Sequence, residues 1–151
     1  MAGWPGAVGD GVRIHGSCVA REGAGVLIVG PSGAGKSDLT LRLLGRGFEL
    51  VADDQVDVVD GMARAPDTLA GLLEVRGLGI VRLPHRAGVK LHVVIALTDR
   101  PERLPRPERH PVLGLPVVAV RGMDASAPDR VALTLDCALG RVSQHTGAFA
   151  A

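Results

Sequence analysis

Residues Gly30, Pro31, Ser32, Gly33, Ala34, Gly35, Lys36 and Ser37 run in the order G-x-x-x-x-G-K-[ST], the spacing of a phosphate-holding loop. Its glycines let the backbone turn tightly, so that several N–H groups face one anion. Lys36 offers a point charge to the β- and γ-phosphates of a nucleotide, and Ser37 offers a hydroxyl to Mg²⁺. A helix beginning here adds the positive end of its dipole. The flanks supply the elements such a loop needs. Gly25–Val29 is an apolar run suited to a buried parallel strand. Ser37–Leu44 is leucine-rich, with Leu39 and Leu43 one helical turn apart, and Gly45 and Gly47 stop it.

Other residues with chemical potential lie further out. Asp53 and Asp54 follow the apolar stretch Phe48–Ala52. In phosphate-loop folds an acidic residue at a strand end reaches the metal or the attacking group. Neighbours on an extended segment point to opposite faces, so the two carboxylates are expected to do different jobs. A solvated turn explains the pair as well. His15 precedes Gly16 in a weakly alternating stretch, Val12–Ala20, and has both a structural and a catalytic reading. Glu74 and Arg76 precede Gly77 and Gly79, which fit either a close backbone approach or a plain turn. Arg103 lies among Arg100, Arg106 and Arg109 in a segment, 99–111, that holds four prolines and reads as a surface loop. Its charges either stabilise a transferring phosphoryl group or are simply solvated.

Composition bounds the rest. At 151 residues, 46% hydrophobic and 22% charged, the chain is expected to be one globular domain rather than disordered. Aromatic residues are only 2% and Tyr is absent, so the core must be built from Leu, Val, Ile and Ala. The same scarcity removes stacking platforms for single-stranded nucleic acid, and a net charge of +1 gives no reason to bind nucleic acid or an anionic membrane. No apolar run approaches the roughly 18 residues of a membrane span, and the N-terminus does not read as a signal peptide. A nucleotide loop also needs intracellular nucleotide, so the expected location is cytoplasmic. Cys18 and Cys137 are too far apart for a C-x-x-C or metal-ligand pattern and read as small apolar residues.

The fold class is α/β. The organisation is a flexible leader over 1–11, a P-loop domain over 12–142 and a tail over 143–151. Gln55–Val59 and Met62–Ala65 are expected to pair as a hairpin around Asp60-Gly61. Leu91–Leu97 and Val112–Val120 read as strands. Ala127–Val142 reads as the last helix, capped by Ser126, with Val131, Leu135, Ala138 and Val142 on one face.

Ile14-His15-Gly16, the loop 30–37, Arg46–Asp54 and Glu74–Val81 occur in an order that resembles the catalytic domain of HPr kinase/phosphorylase, over residues 12–120. The length resembles the short alphaproteobacterial form, which lacks an N-terminal domain. The resemblance implies a P-loop core like that of phosphoenolpyruvate carboxykinase, with a mixed sheet and packed helices. It implies an ATP- and Mg²⁺-dependent kinase acting on a serine of an HPr-like phosphocarrier protein, and a homo-oligomer, often a hexamer. His15 matches the active-site histidine and Gly30–Ser37 the nucleotide loop, with Lys36 catalytic and Ser37 on Mg²⁺. Asp54 matches the proton acceptor of the kinase reaction. Glu74 matches a second metal position, Asp53 is grouped with the metal, and Arg103 matches the catalytic arginine. Asp38 stands where the family usually has Glu, and Pro31 where Asp is frequent. The basic glycine-rich segment that matters for dephosphorylation is reduced to Val120-Arg121-Gly122, so the resemblance supports the kinase more directly than the phosphorylase. Two rival readings use the same loop: a small-molecule kinase and a non-catalytic nucleotide-sensing module.

Overall fold

The structure, a computed structural model, describes residues 7–8 and 11–150. In chain order the first strands are β1 (Ala7–Val8), β2 (Gly11–His15), β3 (Ser17–Arg21) and β4 (Ala24–Val29). Helix α1 (Lys36–Leu44) follows, then β5 (Glu49–Ala52), β6 (Gln55–Val59) and β7 (Met62–Arg64). A hairpin of β8 (Leu72–Val75) and β9 (Gly79–Arg82) precedes β10 (Val89–Leu97), β11 (Val117–Val120) and α2 (Ala127–Ala138).

The main sheet is ordered β1-β2-β6-β7-β10-β4-β3-β5, and β11 pairs with the C-terminal half of β10. β4 runs parallel to β10 and antiparallel to β3, so the strand that carries the phosphate loop is central in a mixed sheet. The expected mixed α/β architecture is the one that forms. The hairpin expected at Asp60-Gly61 is β6–β7, and both turn residues have positive φ, 50° and 77°, as a two-residue primed turn requires.

Two apolar clusters fill the two faces of the sheet. Val26, Ile28, Val93 and Ile95 pack with Leu39 and Leu43 of α1 and Val131 and Leu135 of α2. Leu27, Val94, Leu91 and Val56 form the other cluster. Leu91 and Val93 would share a face on a regular strand. The pairing of β10 with β4 shifts register between them, and the extra residue sends them to opposite faces. That residue is His92, whose pKa burial and the nearby Lys90 both lower. Leu39 is fully buried. Leu39→Ala is expected to cost about 2–5 kcal/mol in urea unfolding and to loosen the helix that begins at the phosphate loop.

The structure departs from the sequence reading at several boundaries. The stretch Val12–Ala20 is two strands broken at Gly16, whose N–H donates to Asp54 O at 3.0 Å. A Cβ on Gly16 would sit 2.5 Å from Ile28 O, so the chain passes there only as glycine. The last helix ends at Ala138, not Val142. Gly140 takes φ 74°, and the N–H groups of Arg141 and Val142 turn back to Asp136 O. Val142 therefore lies outside the helix and does not share its face. Ser126 occupies the N-cap, but its side chain makes no capping bond. The strand over Val112–Val120 is confined to β11, because His110 Nδ1 accepts from Val112 N and Leu113 N and folds the preceding residues into a loop.

Most of the leader lies outside the described residues; Ala7–Val8 pairs with β2. In the tail, Ala148 is buried and Phe149 packs against the helix-side cluster. Cys18 is fully buried, which raises its thiol pKa, and Cys137 is partly buried.

Candidate active site at the phosphate loop

β4 delivers the chain into the glycine loop. Gly33 and Gly35 have φ 83° and 93°, a region in which side chains are strained, and Gly35 is the residue from which α1 starts. Lys36 is the first residue of α1 and is 9% exposed. Its Nζ bends back over the loop and donates to Gly30 O at 2.7 Å and Pro31 O at 3.0 Å. The ammonium is thus held inside the loop by neutral carbonyls, for which a charged phosphate oxygen is a stronger acceptor.

Ser37 follows, and its Oγ lies 2.9 and 3.0 Å from the two carboxylate oxygens of Asp53. Asp53 is only 5% exposed. Its Oδ1 also accepts from Ser17 Oγ at 2.7 Å, and its Oδ2 faces Glu74 N at 3.4 Å. Asp54 has the opposite surroundings. Its side chain is 65% exposed, and Oδ1 lies 3.3 Å from His15 Nε2. The two carboxylates do part company, but not by the alternation of an extended strand. Asp54 has φ 70°, a left-handed conformation, and this turn swings it away from Asp53. The pairing of β2 with β6, which sets His15 against Gln55, brings the imidazole to it.

Hydroxyl and carboxylate oxygens are hard donors. The Ser37–Asp53 pair fits Mg²⁺, which keeps several waters and takes further oxygens from phosphates. Among the described residues no three His, Cys, Asp or Glu side chains converge to hold a metal ion. Glu74 brings its backbone N–H to Asp53, while its side chain sits on the exposed face of β8, across from Ile80. Gly77 and Gly79 have positive φ and nothing within 4 Å of a Cβ, so they serve the turn of the hairpin and not a close approach.

Beside the loop is a cleft of about 420 Å³ lined by Pro31–Ala34, by Leu97, Thr98 and Asp99, and by Arg121, Gly122 and Met123. Arg42 of α1 fixes the last wall by donating to Gly122 O and, at 3.2 Å, to Asp124 O. It also pairs with Asp38 at 3.0 Å. Arg103 is placed elsewhere. It is exposed on a second cleft of about 590 Å³ between the proline-rich loop, β11, α2 and residues 144–149. It makes no hydrogen bond or ion pair among the described residues.

These loops, strand ends and carboxylates occur in a segment with a recognised pattern. Residues 7–97, more than half of the chain, match the family described as HPr Serine kinase C-terminal domain. The chain belongs to that family. It is 44% identical over 103 residues to the HPr kinase/phosphorylase of Clostridium novyi, covering 60% of this chain and 34% of that protein. It is 40% identical over 147 residues to the HPr kinase/phosphorylase of Cupriavidus metallidurans, covering 85% and 45%. The chain thus spans less than half the length of these curated relatives. The solved structure of the Hpr(Ser) kinase/phosphatase from Coxiella burnetii matches with a TM-score of 0.71 at 24% identity, over 85% of this chain and 92% of that one, and shows the same fold. No helix among the described residues is long and apolar enough to cross a membrane.

In this HPr kinase C-terminal domain the sequence reading passed over Ser17, which the fold buries against Asp53. The available signal was a hydroxyl opening the otherwise apolar run Cys18-Val19-Ala20. Arg42 was likewise missed. Its role depends on a contact with residues about eighty positions away, which no local pattern announces.

Proposed function

We infer that the chain transfers the γ-phosphoryl group of ATP to a serine hydroxyl of an HPr-like phosphocarrier protein, using Mg²⁺. The observation that carries this reading is the exposed Asp54–His15 pair at 3.3 Å, next in sequence to the buried Asp53 that Ser37 of the phosphate loop touches. A proton acceptor open to solvent and a phosphate-and-metal subsite are thereby joined back to back. The names of the relatives support the acceptor and both reaction directions.

In this reading Lys36 turns from Gly30 O and Pro31 O to the β/γ-phosphates, and the loop N–H groups hold them. Ser37 and Asp53 would hold Mg²⁺, which would supply positive charge to the phosphates. Asp54 accepts the serine proton as the bond from the γ-phosphorus to ADP breaks and the bond to the serine oxygen forms. His15 orients that carboxylate. In reverse, inorganic phosphate attacks phosphoserine, Asp54 returns the proton to the serine oxygen, and pyrophosphate leaves. Exposed Leu78, in the turn of the β8–β9 hairpin, and Ile80, on β9 opposite Glu74, supply apolar surface of the kind a protein acceptor covers. The resemblance supports a homo-oligomer, often a hexamer, and dependence on intracellular ATP supports a cytoplasmic location.

The deciding experiment incubates the protein with γ-labelled ATP and the HPr homologue from the same genome. Label is expected on a serine of that protein, and added phosphate is expected to release it as pyrophosphate. Label found only in a small metabolite, or nucleotide binding without transfer, overturns the reading in favour of a metabolite kinase or a sensor.

Arg103 is assigned to the transition state of protein phosphorylation, which requires its loop to move toward the acceptor. Arg103→Ala is expected to lower kcat about tenfold with ATP affinity unchanged. Arg109 donates to Gly114 O at 2.8 Å and holds the loop together. Arg109→Ala and Arg106→Ala are expected to change mainly the KM for the acceptor. A steady-state series at two ionic strengths checks this. A larger kcat loss in either of those variants moves the catalytic assignment away from Arg103.

A further inference from the structure

Three consecutive residues contact the aspartate pair. His15 meets the Asp54 carboxylate, Gly16 N donates to Asp54 O, and Ser17 Oγ donates to Asp53 Oδ1 at 2.7 Å. The third contact has no place in the reaction described above. Ser17 is 1% exposed, at the start of β3, and its hydroxyl is spent entirely on a carboxylate that is itself 5% exposed. A buried serine can satisfy its own O–H on a backbone carbonyl, so a side-chain bond to this carboxylate is a specific arrangement.

We propose that Ser17 is a positioning residue for metal binding, fixing the Asp53 carboxylate so that it meets Ser37 and a hard divalent cation without rotating. The proposal rests on the metal role given above to Ser37 and Asp53. Ser37 and Ser17 approach Asp53 differently. Ser37 spans both oxygens, at 2.9 and 3.0 Å, and is the hydroxyl that must reorient when its oxygen ligates a metal. Ser17 bonds Oδ1 alone and lies on another element, so its bond persists through that change. Glu74 N lies as far as 3.4 Å from Oδ2, so among the described residues Ser17 is the one short donor whose geometry does not depend on the metal. Groups that hydrogen-bond a ligating carboxylate typically change metal affinity about 10–100-fold when removed.

The test uses the full chain and Mn²⁺ as an electron-paramagnetic probe, titrated with and without ATP, alongside the Mg²⁺ dependence of phosphoryl transfer. Ser17→Ala is expected to weaken Mn²⁺ binding about tenfold and to raise the KM for Mg²⁺ about tenfold, with kcat at saturating Mg²⁺ within about threefold of wild type. Ser17→Thr, which keeps the hydroxyl, is expected to restore Mn²⁺ affinity. A Ser17→Ala protein that melts at lower temperature yet binds Mn²⁺ like wild type overturns the proposal and leaves Ser17 a structural residue. If Ser17→Ala does not fold, Ser17→Cys carries the same comparison, with a thiol as the weaker donor. Wild type that binds Mn²⁺ and ATP but phosphorylates no protein overturns the proposed function and leaves the Ser17 comparison readable. Wild type that binds no Mn²⁺ overturns both.

Discussion

Asp54→Asn is expected to lower phosphoryl transfer about 10²–10⁴-fold in both directions, while ATP binding stays within a few-fold of wild type. The substitution is unusually clean at this position. Asp54 sits at φ 70°, a conformation that asparagine tolerates at least as well as aspartate, so the turn survives. Its side chain is largely exposed, so no buried partner is orphaned. What disappears is the carboxylate facing His15 and the acceptor, and with it the ability to take a proton. Asp53→Asn is expected to behave differently. That carboxylate is buried under Ser17 and Ser37, and an amide there presents N–H₂ to one of the hydroxyls. The expected result is a loss of about 1–3 kcal/mol of stability and a raised Mg²⁺ requirement, with turnover recovering at high Mg²⁺. Single-turnover rates at saturating Mg²⁺, with ATP binding measured separately, distinguish the pair. An inactive Asp53→Asn beside an active Asp54→Asn would reverse the two roles.

Lys36→Ala is expected to reduce kcat about 10²–10³-fold. Among the described residues the ammonium bonds only the neutral carbonyls Gly30 O and Pro31 O. Its removal leaves no buried charge unpaired, so folding should persist. The loss should instead appear where negative charge grows on the transferring phosphoryl group. Lys36→Arg is expected to recover little, because the planar fork is too large for a nook already 9% exposed and closed by two carbonyls. Rapid-quench measurement of label transfer, with circular dichroism as the folding control, is the check. Near wild-type turnover in Lys36→Ala would remove the phosphate-loop reading altogether.

The phosphate loop, the hairpin at Asp60-Gly61 and the apolar strands β4 and β10 were legible in the amino-acid order. Each is specified by neighbours a few residues apart: glycines at left-handed positions, a turn dipeptide, and the short apolar runs Val26–Val29 and Val93–Leu97. The end of the last helix is also written in the sequence, because Gly140, a glycine after a helical face, is a local stop signal. Other features depend on which strand lies beside which. The Ser17–Asp53 bond joins residues 36 positions apart, and the His15–Asp54 contact exists because β2 pairs with β6 in one register. A shift of one residue would turn His15 to the other face. The bulge at His92 changes which side chains of β10 face the helices, and no composition or periodicity foretells it. Residue types and short spacings therefore announced the chemistry. Sheet register, a property of distant pairs competing for the same core, assembled the acid, the imidazole and the hidden hydroxyl around it.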